Sequence, residues 1–564
     1  MSEEKVTCEI ASITFFNGTS LELKEGDIVV FTGPNNAGKT QCLRDIETIC
    51  RGTQSARTLL VQDIKITKHN ADRLHDYLQK QGFVHDNCMG EDEYHILGNH
   101  EEVRAVEAFK NTTRLGGAFK FFVSRLNTAS RLSLCEEKVE KPREQGIYLS
   151  PMQCVVHDKL FRNKLSDIFF KAFGQHLVPD NIEDKPTTLC IGEPVMTSGR
   201  VVEMSEELNY FRQQLSSLPR VASQGDGVKS FIGIVMELMM EIYSIFLIDE
   251  PEAFLHPPHA RVLGREMVSL LSPHRQLFLA THSSDIIKGL LETGHDRVKI
   301  VRIDRSGDKA DVNVLKKETF DEIWKDPILR HSNIMDGLFH KKVVICESDS
   351  DCKFYSVLLS HISEKEGRYP EILFVHSGSK QRLYVLVEAL KKLNVDTKVV
   401  PDIDILNQTE NIRILFESCG GIWNQGIADA HKMIALSMPT QPEFHTRQEI
   451  KEQLNAILDK SADDDVRKED LDKMSKVLKQ KSKWSAFKEG GINTLQGDAL
   501  NSLLFLLGEF AKVGLHPVPY GQLESFIPTI TLHGPKWVNA VLENYPDLDD
   551  PVYDNAKTFI RSFV

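Results

Sequence analysis

Six short apolar runs, each closing on small or polar residues, organise this chain. The first, Ile28-Val29-Val30-Phe31, sits in Gly26–Thr32 and leads directly into Gly33-Pro34-Asn35-Asn36-Ala37-Gly38-Lys39-Thr40. The following stretch, QCLRDIETIC, carries apolar residues at helical spacing, so strand, glycine loop and helix occur in that order. Ile245-Phe246-Leu247-Ile248 ends in Asp249-Glu250-Pro251-Glu252, and Leu277-Phe278-Leu279-Ala280 ends in Thr281-His282-Ser283-Ser284. Continuous apolar strands with polar tips predict an α/β fold with a helix-covered parallel sheet, whose ligands bind at the strand ends.

From Lys341 the pattern restarts. Val343-Val344-Ile345-Cys346 leads to Glu347, Ile372-Leu373-Phe374-Val375 to His376-Ser377-Gly378, and Val399-Val400 through Pro401 to Asp402-Ile403-Asp404. These predict a second α/β domain over 341–564, after a first over 1–335. The mixed pattern of 51–220 reads as insertions into the first domain, with 155–220 a dimerisation insertion. The Lys-, Asp-, Glu- and Gln-rich stretch 443–490 reads as a polar helical insertion, too short for a long coiled-coil arm.

At 564 residues the chain is long enough for two or three cores. Its ten cysteines include no Cys-x-x-Cys pair, which speaks against structural zinc and for reduced thiols in a cytoplasmic protein. No apolar run reaches the ~18 residues of a membrane span. A net charge of −13 argues against a generally basic nucleic-acid coat and leaves local basic patches open.

The Gly-x4-Gly-Lys-Thr spacing has a chemical reason. Gly33 and Gly38, with Asn35 and Asn36 between them, let backbone N–H groups turn toward phosphates; Lys39 reaches the terminal phosphates of ATP and Thr40 ligates Mg2+. Asp249 suits a Mg2+ contact, and Glu250 is placed to polarise the water that attacks the γ-phosphate. A lone strand-end histidine such as His282 is more often structural than catalytic, but here it stands beside Asp249-Glu250. In the second half, Asp402 and Asp404 are two apart, which in a strand puts both carboxylates on one side. With Glu347, and with Asp351 four residues further on, they form an oxygen set for Mg2+ or Mn2+. Two such ions activate water and stabilise the leaving oxygen in phosphodiester cleavage.

Asp249-Glu250-Pro251-Glu252-Ala253-Phe254-Leu255-His256-Pro257 and Ala280-Thr281-His282-Ser283 resemble the ABC-type ATPase of the OLD (overcoming lysogenization defect) family. Cys346-Glu347-Ser348-Asp349-Ser350-Asp351-Cys352 with Asp402-Ile403-Asp404 is similar to a Toprim domain, although Ser348 stands where that family commonly has glycine. The resemblance implies that His282 senses the γ-phosphate. It implies that Ser223 and Gly225, in Ser223-Gln224-Gly225-Asp226-Gly227, contact ATP bound to a partner subunit, although this loop departs from the Leu-Ser-Gly-Gly-Gln form of transporters. It implies a late metal-holding glutamate and a late lysine acting on the transition state, for which Glu524 and Lys536 are the candidates; Lys380 is a lesser candidate for substrate phosphate.

The function implied is an ATP-binding and ATP-hydrolysing, Mg2+-dependent DNA endonuclease. It would work as a homodimer or larger assembly, in antiviral defence, with a helicase or a reverse transcriptase and its nucleic acid as possible partners. The competing reading is a DNA-repair or structural-maintenance ATPase that clamps DNA without cutting; the missing heptad arms and the completeness of the acidic set weigh against it. A topoisomerase or primase lacks its tyrosine-bearing domain or zinc ribbon here.

Overall fold

The computed structural model describes residues 5–564 apart from 53–56, 87–91, 98, 138–149, 181–185, 194–203, 308, 319–320, 322–324, 327–328, 330–332, 439–445, 460–465 and 479–483. It divides into two compact units, Met1–Glu318 and Thr319–Val564. The short helix Asn333–Phe339 packs on strand Ile372–His376 in the second unit, so the end of the expected first domain clusters with the second.

The first unit is built on a six-stranded sheet in the order Lys309–Val314, Val298–Ser306, Ile28–Thr32, Gln276–Ala280, Ile245–Asp249, Val123–Leu126. All neighbouring pairs are parallel except the first. Ile28–Phe31, Ile245–Ile248 and Leu277–Ala280 are fully buried, as apolar runs in a sheet covered on both faces must be. The strand tips therefore gather at one edge, carrying Gly33, Asp249 and Thr281. A second, antiparallel sheet pairs Thr7–Phe15 with Ser20–Glu22 and with Val61–His69.

Two of these strands correct the reading of 51–220 as insertion. Val61–His69 belongs to the antiparallel sheet, and Val123–Leu126 is the edge of the main sheet, parallel to Ile245–Ile248. A four-residue strand such as VSRL is too short for periodicity to reveal. Within 155–220 the described residues form helices, among them Lys159–Phe173, and the hairpin Leu177–Asp180 with Thr188–Ile191.

The second unit has a three-stranded parallel sheet with Lys342–Cys346 between Ile372–His376 and Asp396–Val400. Helix Asp349–Glu366 lays Phe354, Tyr355 and Leu358 into a core with Trp537, Tyr553 and Ile560. The polar stretch 443–490 contains the helices Arg447–Leu458, Lys468–Leu478 and Ser485–Gly490. Among the described residues no helix is long and apolar enough to cross a membrane.

Candidate nucleotide and metal sites

In the first unit, the loop after Ile28–Thr32 turns where only glycine fits. Gly33 has φ +143°, and a Cβ there would lie 2.0 Å from Ile303 O. Helix Lys39–Arg51 opens directly after Gly38 with no side-chain cap and no acid in its first turn. Its first N–H groups point out of the helix end toward the loop, where the helix dipole favours an anion. Lys39 Nζ donates to Gly33 O at 2.8 Å and Pro34 O at 2.7 Å, closing the loop over the ammonium. Beside Gly38 lies a cavity of about 420 Å³ walled by Phe16, Leu59, Arg305 and Lys309, which no sequence motif marked.

The sheet brings the other candidates to this loop. Thr40 Oγ1 donates to Asp249 Oδ1 at 2.9 Å, pairing the hydroxyl and carboxylate that would hold Mg2+. Arg125 lies 3.5 Å from Asp249. Pairing of Asp249 with Ala280 sets the next residues side by side: Glu250 N donates to Ala280 O at 2.8 Å, and His282 Nε2 lies 3.7 Å from Glu250 Oε1. Glu250 holds φ +47°, uncommon for a side-chain-bearing residue. The fully buried Arg131 fixes it there, donating to Asp249 O at 2.7 Å and Glu250 O at 2.9 Å. Glu252 accepts from His282 N at 2.6 Å, and burial pushes its carboxyl up. Ser223 Oγ donates to Arg220 O at 2.8 Å, and Gly225 precedes helix Asp226–Met239 with open space around it. Among the described hydrogen bonds, none of theirs reaches Gly33–Thr40.

In the second unit, Glu347, Asp402 and Asp404 each offer an oxygen, all within 4.8 Å of one another. Asp402 N donates to Glu347 Oε1 at 2.9 Å, binding one strand tip to the next. The two aspartates do not lie in a strand, as the alternation argument required. Their strand ends at Val400, Pro401 intervenes, and Asp404 belongs to the 3-10 helix Ile403–Asn407 that Asp402 opens. The carboxylates meet because this helix turns one onto the other.

Two lysines enter the cluster. Lys380 Nζ pairs with Asp404 Oδ1, and Lys488 Nζ lies 3.3 Å from Asp404 Oδ2 and 3.5 Å from Asp402 Oδ2. Burial, reinforced by the neighbouring carboxylates and opposed by Lys380 and Lys488, raises the Glu347 and Asp402 carboxyls well above the ordinary range. An all-oxygen, partly buried set of this kind fits a hard divalent cation.

The remaining candidates have other attachments. Asp351 is the third residue of its helix, and its Oδ2 accepts from Ser348 N at 2.8 Å in a capping box. Its negative neighbours are Asp402 of the cluster and Glu524, whose Oε1 accepts from Gly534 N at 2.9 Å. Lys536 is exposed on helix Pro535–Asn544. Lys488 lay hidden in the polar stretch, where one lysine among many carries no positional signal. Arg125 and Arg131 were equally silent within the assumed insertion.

Residues 204–287 match the family model described as an AAA ATPase domain. That match supports an ATPase domain, and with it nucleotide binding, in this part of the chain. The chain is 23% identical over 351 residues to the Old nuclease of Escherichia phage P2, covering 58% of this chain and 56% of that protein. It is 29% identical over 139 residues to the cytochrome c biogenesis ATP-binding export protein CcmA of Shewanella oneidensis, covering 24% of this chain and 56% of that one. The chain thus spans about half the length of these curated relatives. Among solved structures, the SMC head domain of Thermotoga maritima aligns with TM-score 0.29 and 10% identity, over 56% of this chain and 100% of that one. An Smc head domain with an extended coiled coil, bound to the C-terminal domain of ScpA derived from Pyrococcus furiosus, aligns with TM-score 0.33 and 12% identity, over 57% and 99%.

Proposed function

We propose that this chain is an ATP-hydrolysing, Mg2+- or Mn2+-dependent DNA endonuclease of the OLD type, with its cutting site in a Toprim-like second unit. The observation that carries the reading is the meeting of Glu347, Asp402 and Asp404 within 4.8 Å beside Lys380 and Lys488. The similarity to the Old nuclease supports it.

In the first unit, Lys39 and the N-terminus of helix Lys39–Arg51 bind the ATP phosphates, and Thr40 with Asp249 would hold the Mg2+. Glu250 accepts the proton of the hydrolytic water, oriented by its Arg131-fixed backbone, and His282 beside it reports the γ-phosphate. Ser223 and Gly225 face outward to complete the site of a second copy, which makes the working form a homodimer or larger assembly. Phe16 and Leu59 offer an apolar wall for the base.

In the second unit, Glu347, Asp402 and Asp404 would hold the divalent cation, with Asp351 and Glu524 supporting that side of the site. When bound, the cation supplies an activated water and charge at the leaving oxygen. Lys380 and Lys488 bind the scissile phosphate locally, despite the net charge of −13. Lys536 extends the basic surface. ATP turnover regulates cutting, in the cytoplasm, within a defence system that supplies a helicase or a reverse transcriptase with its nucleic acid. The test is plasmid relaxation and ATP hydrolysis on one preparation, without metal and with Mg2+ or Mn2+: the reading requires both activities, and absence of either with both metals rejects it.

A further inference from the structure

At the sheet edge opposite Gly33–Thr40, side chains from four separate segments converge. Glu25 precedes strand Ile28–Thr32 and His274 precedes strand Gln276–Ala280, so both lie at the amino-terminal edge. Glu9 and His69 come from the antiparallel sheet, where the register sets Glu9 opposite Thr67 and hence on the same face as His69. Gln276 fastens the two sheets together, accepting from Ile10 N at 2.8 Å and donating to Ile10 O at 3.0 Å. Gly26 makes the approach of Glu25 possible: at φ +80°, a Cβ on it would stand 2.7 Å from Pro273 O.

His69 Nε2 lies 3.5 Å from Glu9 Oε1 and 3.6 Å from Glu25 Oε1, and one ligand atom from each of the three falls within 4.8 Å of the others. His274 Nδ1 lies 2.7 Å from Glu25 Oε2 and holds that carboxylate in place, as outer partners of metal ligands do. Donors about 2.0–2.1 Å from a tetrahedral ion stand about 3.3–3.4 Å apart, close to the spacing here. His69 Nε2 and Glu9 Oε2 are both shielded from solvent and have no hydrogen-bond partner. A simple ion pair of imidazolium with carboxylates leaves those two buried atoms unsatisfied, whereas a metal ion satisfies the imidazole nitrogen. The nearby Arg275 is spent elsewhere, donating to Tyr243 O, Leu238 O and Met240 O. The group borders a cavity of about 310 Å³ that gives an ion a path in and room for a water ligand.

We propose that Glu9, Glu25 and His69, with His274 positioning Glu25, form a binding site for a first-row divalent metal ion of the Zn2+ class, separate from both sites described above. The mixed imidazole and carboxylate donors favour such an ion over Mg2+ or Ca2+. The site clamps the antiparallel sheet to the amino-terminal edge of the main sheet, so its ligand acts on stability. It does not depend on the nuclease reading.

The experiment is calorimetric titration of Zn2+ into the EDTA-stripped full chain, in a Glu347→Gln/Asp404→Asn background that weakens the acidic cluster of the second unit, with the thermal midpoint measured in parallel. The expected result is one Zn2+ per chain and a raised midpoint. His69→Asn, and separately Glu9→Gln, should each weaken binding by at least about tenfold and abolish the rise. Should one variant misfold by circular dichroism, the other carries the test. Absence of Zn2+ binding, or unchanged binding in a folded His69→Asn or Glu9→Gln protein, overturns the site.

Discussion

Thr40 Oγ1 donates to Asp249 Oδ1 across 2.9 Å, joining the start of the phosphate-loop helix to the tip of the neighbouring buried strand. The pair exists because both strand tips end at one edge of a parallel sheet. Thr40→Val keeps the shape and removes the donor to a charged acceptor, an interaction worth roughly 1.5–3 kcal/mol. MgATP affinity, read by equilibrium binding, should fall at least about tenfold, and Lys39→Ala should weaken it further. Unchanged binding in both variants would remove ATP from this loop.

Glu250 and Arg131 separate binding from turnover. Glu250→Gln should retain ATP and lose roughly 10²- to 10⁴-fold in hydrolysis rate, the usual range for a positioned proton acceptor. Arg131→Met strips the donors from Asp249 O and Glu250 O. It should destabilise the first unit by roughly 1–3 kcal/mol per orphaned carbonyl and lower turnover as Glu250 leaves φ +47°. Denaturant unfolding and phosphate release measure the two effects.

The buried strands carrying Gly33, Asp249 and Thr281 were legible because an unbroken apolar run followed by glycine or acid is a strong local signal. Val123–Leu126 was not, since four residues hold no period, and its place at the sheet edge is set by pairing with Ile245–Ile248. At the acidic cluster, the residue types of Glu347, Asp402 and Asp404 were readable, but the geometry of the last two was misjudged. Pro401 ends the strand, and a 3-10 turn does what alternation was expected to do. Lys488 was invisible because its partners Asp402 and Asp404 lie far away in sequence and the stretch before it is rich in other lysines.

The lysines of the second unit rank by position. Lys380 and Lys488 touch the carboxylates, whereas Lys536 is exposed on its helix. Lys488→Met and Lys380→Met should each lower the single-turnover cleavage rate by roughly 10²-fold, as loss of one transition-state donor does. Lys536→Met should cost less. The reverse order would return the catalytic lysine to Lys536.

His516 gives the second unit a built-in acid sensitivity. Burial, with Lys398 and Lys342 nearby, pushes its imidazole down from 6.5 to about 4. The folded state therefore keeps it neutral while the unfolded chain takes up a proton below about pH 6.5. Its contribution is complete above that pH and is lost progressively between about 6.5 and 4, by roughly 3 kcal/mol or less. The described tryptophans Trp423, Trp484 and Trp537 lie in this unit and the sequence of the first unit has none, so tryptophan fluorescence in urea follows the second unit. His516→Gln should flatten the pH slope in that window.

The central claim is that Glu347 and Asp404 hold the metal for DNA cutting. Its most direct measurement is cleavage of supercoiled plasmid, with Mg2+ and with Mn2+, by the wild type, Asp404→Ala and Glu347→Ala/Asp404→Ala, with ATP binding measured in parallel. The account predicts nicking or cutting by the wild type, none by either variant, and unchanged ATP affinity in all three. Cleavage that persists at the wild-type rate in the double variant would contradict it.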